Sequence, residues 1–238
     1  MTIKYHGTPI TPLEVLYKLA GCCFCVSYAA PNQVRQCHDI GCSVMLDNGA
    51  FSLWRAGRPT NWPGFYEWVD PWLDCSTTWA VIPDLIDGTE EENDALIKQW
   101  PHGNKGAPVW HMHEPIDRLL RLADEWPLVC FGSSGEYANV GDDKWHARAE
   151  QAFDELSVRY FRTKPIHMLR GLSLAGSRYP FYSMDSTNIA RNHAGNNTRG
   201  AAAKDPRRMA DTIDGRQCAV RWMPREIQRQ LMLDELLS

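Results

Sequence analysis

The chain has 238 residues, 44% of them hydrophobic, and a formal net charge of −4, so it can bury an ample core and suits one large α/β domain. No run approaches the roughly 18 to 20 apolar residues of a membrane span, and the first six residues lack the apolar core of a signal peptide. We therefore expect a soluble, cytoplasmic, single-domain protein without a membrane partner.

Charge is unevenly distributed along the chain. Residues 1–156 contain 11 Lys and Arg against 22 Asp and Glu, whereas residues 157–238 contain 14 against 7. A basic segment inside an acidic protein suits local phosphate contact, because binding depends mainly on the charge that faces the ligand. A solvated helical face is the equally acceptable alternative. The predicted nucleic-acid contacts in this basic C-terminal segment, about 191–238, are Arg191, Arg199, Lys204, Arg207 and Arg208.

In chain order, short apolar segments alternate with segments of helical periodicity. The predicted strands occupy residues 24–28, 43–47, 79–84, 108–113, 127–131, 165–169 and 180–184. The predicted helices occupy residues 11–19, 32–37, 65–73, 90–100, 116–125, 144–160 and 224–237. Residues 193–204, rich in Gly, Asn and small side chains, are predicted to form a mobile loop. This alternation predicts parallel strands with crossover helices, most simply a compact, irregular or incomplete (β/α)8 TIM-like barrel, with residues 217–222 as a candidate eighth strand.

Polar residues stand at the ends of most predicted strands, where barrels place their chemistry. Asp185 ends the last apolar run, and Asp47 stands in the same setting. Two carboxylates at strand ends can share one pocket, although Asp185 could instead cap a helix that begins at Ser186. The other strand-end groups are Asp84, His111, His113, Gly132-Ser133-Ser134-Gly135 and Arg170-Gly171.

Several reaction classes are poorly supported by the sequence. There is no nucleophile elbow for acyl transfer and no Gly-rich phosphate loop. His111 and His113 are two residues apart on a predicted strand, so they point to opposite faces and at most one faces the pocket. For either histidine a satisfied structural role is the favoured assignment. The eight scattered cysteines form no four-ligand zinc set, and we expect neither metal nor cofactor. Paired carboxylates without a metal indicate glycosyl chemistry.

The order of these strand ends resembles that of the tRNA-guanine transglycosylases and of their DNA-modifying relatives in phages and bacteria, the DpdA-type 7-deazaguanine DNA transglycosylases. Asp47-Asn48-Gly49-Ala50-Phe51-Ser52 is similar to the family's Asp-Ser-Gly-Gly-Phe-Gln motif, and Gly132-Ser133-Ser134-Gly135 to its Gly-Gly turn. His167-Met168-Leu169-Arg170-Gly171-Leu172 resembles its Leu-Met-Gly-Val-Gly segment. Asp185 is similar in place to its nucleophilic Asp, and Ala190-Arg191 resembles the end of the Thr-Arg-x-Ala-Arg stretch that follows.

The resemblance implies an activity and roles for individual residues. Guanine in DNA would be replaced by a 7-deazaguanine base, such as queuine or preQ0, with Asp185 as the nucleophile that forms a covalent glycosyl-enzyme. Asp47 would be the acid/base partner or hold the base, and Asp84 would accept hydrogen bonds from purine N–H groups. The implied substrate-binding residues are Asn48, Gly49, Phe51, Asp84, His111, Gly132, Ser133, Ser134, Met168, Arg170 and Gly171.

Departures from the family pattern favour DNA over tRNA. The zinc motif of the tRNA enzymes, three closely spaced Cys and a distant His, is missing, since Cys218 stands alone after Cys130. The chain is also much shorter than those enzymes. The resemblance thus implies a DNA-modifying transferase of a bacterial or phage-infected cell. Three alternatives are a tRNA-guanine transglycosylase, an N-glycosidase in which water replaces the incoming base, and a non-catalytic nucleic-acid-binding barrel.

Overall fold

The computed structural model describes residues 1–160, 163–193, 205–224 and 227. The β-strands in this part of the chain are β1 Ile3–Gly7, β2 Cys23–Ser27, β3 Ser43–Asp47, β4 Thr78–Val81, β5 Gly106–Ala107, β6 Val109–His111, β7 Val129–Gly132, β8 Ile166–Met168 and β9 Ser183–Ser186. The α-helices are α1 Leu13–Tyr17, α2 Val34–Ile40, α3 Ala50–Arg55, α4 Trp62–Leu73, α5 Glu90–Gln99, α6 Ile116–Glu125, α7 Asp143–Arg159, α8 Asn188–Asn192 and α9 Pro206–Asp214.

The strands form a nearly closed barrel. All neighbouring strands are parallel, in the order β5-β4-β3-β2-β1-β9-β8-β7-β6. The two end strands, β5 and β6, are separated in sequence only by Pro108. Ala107 O accepts a hydrogen bond from Ile82 N beside β4, and Pro108 O accepts one from Cys130 N of β7. Residues 106–111 therefore join both ends of the sheet, and the predicted α/β TIM-like barrel is confirmed.

The seven predicted strands all overlap observed strands, but the predicted eighth strand is wrong. Residues 217–222 form no strand, and the missing barrel position, between β2 and β9, is filled by β1. Strand β1 lacks a clean apolar pattern because Lys4 and His6, on its outer face, are polar. Both side chains are nevertheless buried. Both side chains are accommodated by Asp214 of α9, whose backbone oxygen accepts from Lys4 Nζ and whose carboxylate lies 3.1 Å from His6 Nε2.

Most predicted helices occur with ends within a few residues of the prediction, and side-chain caps fix the start of some of them. Asn61 caps α4 by accepting from Gly64 N, and Thr89 with Glu92 forms a capping box at α5. Helix α1 is shorter than predicted, and α3 and α9 were not predicted as helices, whereas α8 lies where the alternative for Asp185 allowed a helix. The predicted helix 224–237 and the loop 193–204 lie almost entirely outside the described residues.

The apolar residues separate into a barrel interior and an outer layer. Inward-facing residues of successive strands, among them Tyr5, Cys25, Met45 and Cys130, form one buried cluster. Two larger clusters pack the outer faces of the strands against the helices. Because interior positions alternate with outer ones along each strand, the packed interior forms a floor beneath the carboxyl ends of the strands. No helix among the described residues is both long and apolar enough to cross a bilayer.

Candidate active site

Two adjoining spaces lie at the carboxyl ends of the strands. The larger is a cleft of about 790 Å³ whose walls include Asp47, Asp185, Arg55 and Arg191. The smaller is an inner pocket of about 40 Å³, and its lining is Asp47, Asn48, Phe51, Val81, Asp84, Ile86, Val109, His111, Gly132, Ser133, Leu169 and Arg170. The parallel strands end on one face, so residues far apart in sequence meet there.

Asp185 lies within β9 and is held by two donors. Its Oδ1 accepts from the backbone N–H of Arg170 at 2.8 Å and lies 3.2 Å from His167 Nε2. His167 is fully buried, and its Nδ1 lies 2.8 Å from Ser183 Oγ. Helix α8 begins three residues after Asp185 without a side-chain cap, so the alternative that Asp185 caps a helix is wrong. The two contacts fix Oδ1 in place.

Asp47 ends β3, and the pKa of its carboxyl group is raised to about 6. Burial is the main cause, and the charges of Asp185 and Asp84 add to it. Hydrogen bonds from Ser27 and from the Gly49 backbone N–H oppose the shift. Gly49 has a φ of +77° in this tight turn, a conformation that L side chains rarely adopt. Asp47 therefore exchanges its proton close to neutral pH.

Asp84 and His111 form a buried polar pair on the wall of the inner pocket. Asn48 Nδ2 donates to Asp84 Oδ1 at 2.7 Å, and His111 Nε2 lies 3.1 Å from Asp84 Oδ2. The His111 ring is not aligned for a straight hydrogen bond to that oxygen. Burial disfavours the imidazolium, but the close contact with the Asp84 carboxylate and the charges of Asp84 and Glu114 outweigh burial and raise the pKa of His111. Among the described residues, Asp84 Oδ2 therefore has no well-aligned donor and remains available as an acceptor.

The turn after β7 completes the inner pocket. Gly132 leaves no room for a side chain, because an added Cβ would lie 2.9 Å from Val109 and 3.4 Å from His111 Nδ1. Ser133 lines the pocket and is fixed by a hydrogen bond from Trp145 Nε1. Ser134 Oγ lies 2.7 Å from His113 Nδ1, outside the pocket lining. Only His111 of the two histidines reaches the pocket.

Arg170 connects the two spaces and lines both. Its guanidinium carbon lies 3.8 Å from the centroid of the Phe51 ring, and Nη2 donates to Ser133 O at 3.0 Å. Its backbone has a φ of 57°, unusual for a residue with a side chain, and this turn points the N–H at Asp185. Burial lowers the pKa of Arg170, while the charges of Asp185 and Asp47 partly restore it.

Some predicted site residues lie elsewhere. Met168 is fully buried in the outer apolar core, and its neighbour Leu169 lines the cleft instead. Gly171 is needed for packing, because an added Cβ would lie 2.2 Å from Met168 Cγ. Arg191 lines the cleft, but Arg207 pairs with Asp211 and donates to Ala20 O. Exposed Arg208 lines a separate groove along α9. Arg199 and Lys204 lie outside the described residues.

Two side chains that sequence reasoning missed belong to the site. His167 contacts Asp185, and the alternation of β8 was the available signal, because it places His167 inside the barrel when Met168 faces outward. Arg55, on α3, adds a third arginine to the cleft walls beside Arg170 and Arg191. No sequence signal distinguished it from an ordinary exposed helical arginine.

A possible metal-binding group lies away from the cleft. Among the described residues, His6, Cys22 and Asp214 have potential ligand atoms within 4.8 Å of one another. His6 Nε2 and Asp214 Oδ1 already pair at 3.1 Å. Burial raises the pKa of the Cys22 thiol to about 12, so an incoming metal would have to displace a proton. The group lies on the outer side of the barrel, under α9, and contributes nothing to the cleft.

No protein-family model, no curated protein and no solved structure matches the chain.

Proposed function

We propose that the protein is a base-exchange transglycosylase that replaces guanine in DNA with a 7-deazaguanine base. The observation that carries the proposal is the carboxylate pair of the cleft, Asp185 held at Oδ1 by two donors and Asp47 with a pKa near 6. Nucleophilic glycosyl transfer needs a fixed carboxylate as the nucleophile and a second carboxyl group that can give and take a proton near neutral pH.

In the first half-reaction, Oδ2 of Asp185, the carboxylate oxygen that takes part in neither of these two contacts, attacks C1′ of the target nucleotide. The C1′–N9 bond breaks, its electron pair passes to guanine, and the departing base takes a proton from Asp47. In the second half-reaction, the Asp47 carboxylate accepts the N9 proton of the incoming base. That nitrogen then attacks C1′ and breaks the ester to Asp185. Two inversions at C1′ give net retention.

The inner pocket supports purine recognition. Asp84 accepts hydrogen bonds from purine N–H groups, because its Oδ2 has no well-aligned partner among the described residues. The backbone N–H group of Ser133, which lines the pocket, contacts the carbonyl edge of the base. Phe51, on the wall shared with the cleft, offers a stacking surface.

The arginines favour a nucleic acid over a free nucleoside. Arg55, Arg170 and Arg191 surround the cleft that contains the catalytic carboxylates. Their guanidinium groups contact the phosphates that flank the target nucleotide. In a duplex this nucleotide must be flipped out before its C1′ can reach Asp185, at a cost of a few kcal/mol that such contacts offset.

Product analysis tests the proposal. The full chain is incubated with single-stranded DNA, duplex DNA or unmodified tRNA, each with and without a 7-deazaguanine base, and the digested nucleosides are identified by mass spectrometry. We expect the 7-deazaguanine nucleoside in DNA, together with an equal amount of released guanine. Insertion into tRNA alone would identify the tRNA enzyme, guanine release with abasic sites would identify an N-glycosidase, and no guanine release from any substrate would leave a binding protein.

The two half-reactions should respond oppositely to pH. Because the pKa of Asp47 is raised to about 6, its protonated form predominates below pH 6 and serves the departure of guanine. Above pH 6 the carboxylate predominates and serves the incoming base. Single-turnover measurements should therefore show covalent intermediate formation slowing, and base insertion accelerating, as pH rises through about 6. Both dependences should flatten in Asp47→Asn, and identical profiles for the two half-reactions would contradict this role.

A further inference from the structure

The inner pocket is too small for the base that the proposed function requires. Its volume of about 40 Å³ holds a few water molecules at most and excludes a purine ring system. The cleft beside it, at about 790 Å³, has ample room. Asp47, Phe51, Leu169 and Arg170 line both spaces and form the partition between them. From the cleft, a base can therefore reach Asp84 only if part of this partition moves.

Arg170 occupies the position where a purine would stack. Its guanidinium is planar, lies 3.8 Å from the Phe51 ring centroid, and donates through Nη2 to Ser133 O. A purine base is also planar, stacks on aromatic rings and carries N–H donors along one edge. The arginine side chain thus reproduces the stacking and one hydrogen bond of a bound base.

The side chain of Arg170 can move away from the pocket while the backbone of this residue remains in place. The backbone N–H is bound to the Asp185 carboxylate at 2.8 Å. Arg170 is an exposed residue, so displacement of its side chain disturbs little core packing. Phosphates entering the cleft attract the released guanidinium, which has a planar fork of donors suited to them.

We propose that Arg170 is a base-mimicking lid, which closes the purine pocket until a nucleic-acid phosphate draws its guanidinium away from Phe51. This inference rests on the proposed function and adds an order of binding to it. The free 7-deazaguanine base binds the closed protein poorly, and engagement of the nucleic acid opens its pocket. The lid protects the protein from occupation by free guanine before a nucleic acid is present.

Titration calorimetry of the free base tests the lid. We expect Arg170→Ala to bind a free 7-deazaguanine base about tenfold more tightly than the unaltered chain, because the base no longer displaces a stacked, hydrogen-bonded side chain. The same variant should show a several-fold higher KM for DNA in exchange assays. Arg170→Lys keeps the charge without the planar fork, so it should bind the free base nearly as well as Arg170→Ala while keeping a lower KM for DNA.

Arg35→Ala is the matched control, since Arg35 is an exposed arginine whose guanidinium lies 5.9 Å from the Trp72 ring centroid, outside the linings of both spaces. It should change neither quantity. Free-base affinity that does not increase in Arg170→Ala would overturn the lid, even if the unaltered chain performs base exchange. Tighter base binding by Arg170→Ala without any exchange on DNA or tRNA would instead retain the lid and reject the proposed reaction.

Discussion

Asp185→Asn should reduce base exchange by at least about 10³-fold, because an amide cannot form the glycosyl ester that the proposed mechanism requires. The substitution keeps the side-chain shape, and its Oδ1 can still accept from the Arg170 backbone N–H. We therefore expect the melting temperature to change by no more than a few degrees. Loss of activity without loss of folding separates a nucleophile from a structural carboxylate.

The measurement is single-turnover exchange of labelled guanine, combined with intact mass spectrometry of the denatured protein. The unaltered chain, quenched without an incoming base, should carry a covalent nucleic-acid adduct that is absent from Asp185→Asn. Asp39→Asn, an exposed change on α2, is the control and should behave like the unaltered chain. Exchange within tenfold of normal in Asp185→Asn would remove Asp185 from the mechanism.

The largest stability effect should come from the buried ion pair behind His111. Arg118 and Glu114 are each 3% exposed and lie 2.7 Å apart, and Glu114 also accepts from the His111 backbone N–H. Arg118→Met removes the positive charge and leaves a buried carboxylate, at a cost of about 3–5 kcal/mol. For a chain of this size, we expect the melting temperature to fall by roughly 10 °C at pH 7.

This loss should diminish in acid. Burial raises the pKa of Glu114 even with Arg118 present, and removing the cation raises it further. The folded protein then holds a proton that the unfolded chain releases, so stability falls as pH rises above the unfolded pKa of Glu114 and reaches its minimum above the folded pKa. Arg118→Met should therefore be closest to the unaltered chain near pH 5 and furthest from it near pH 8.

A double variant provides the control for this pair. Arg118→Met with Glu114→Gln removes both charges, and Gln can still accept from the His111 backbone N–H, so the stability lost through the unpaired Glu114 carboxylate should return. The hydrogen bonds of Arg118 to Val109 O and Asp94 stay lost in both variants. Chemical denaturation of the two single variants and the double variant measures the coupling. A double variant as unstable as the sum of its singles would show that the pair is not coupled.

The barrel and the strand-end position of most site residues could be predicted from the sequence. Apolar segments alternating with helical periods require parallel strands with crossover helices, and parallel strands end at one face. Asp47, Asp84 and His111 were located by that rule alone, and the structure places all three on the wall of the inner pocket. Their roles in catalysis and base binding remain predictions.

Only the tertiary structure decided the features that depend on distant partners. Strand β1 escaped prediction because Lys4 and His6 are polar, and they are buried only because Asp214, more than 200 residues away in sequence, accepts their hydrogen bonds. His167 belongs to the site because it contacts Asp185 on the neighbouring strand. The stacking of Arg170 on Phe51 joins the turn after β8 to helix α3 across the barrel mouth. Local sequence determines where strands and helices form. It does not determine which distant side chains come within hydrogen-bonding distance, because that depends on how the barrel closes.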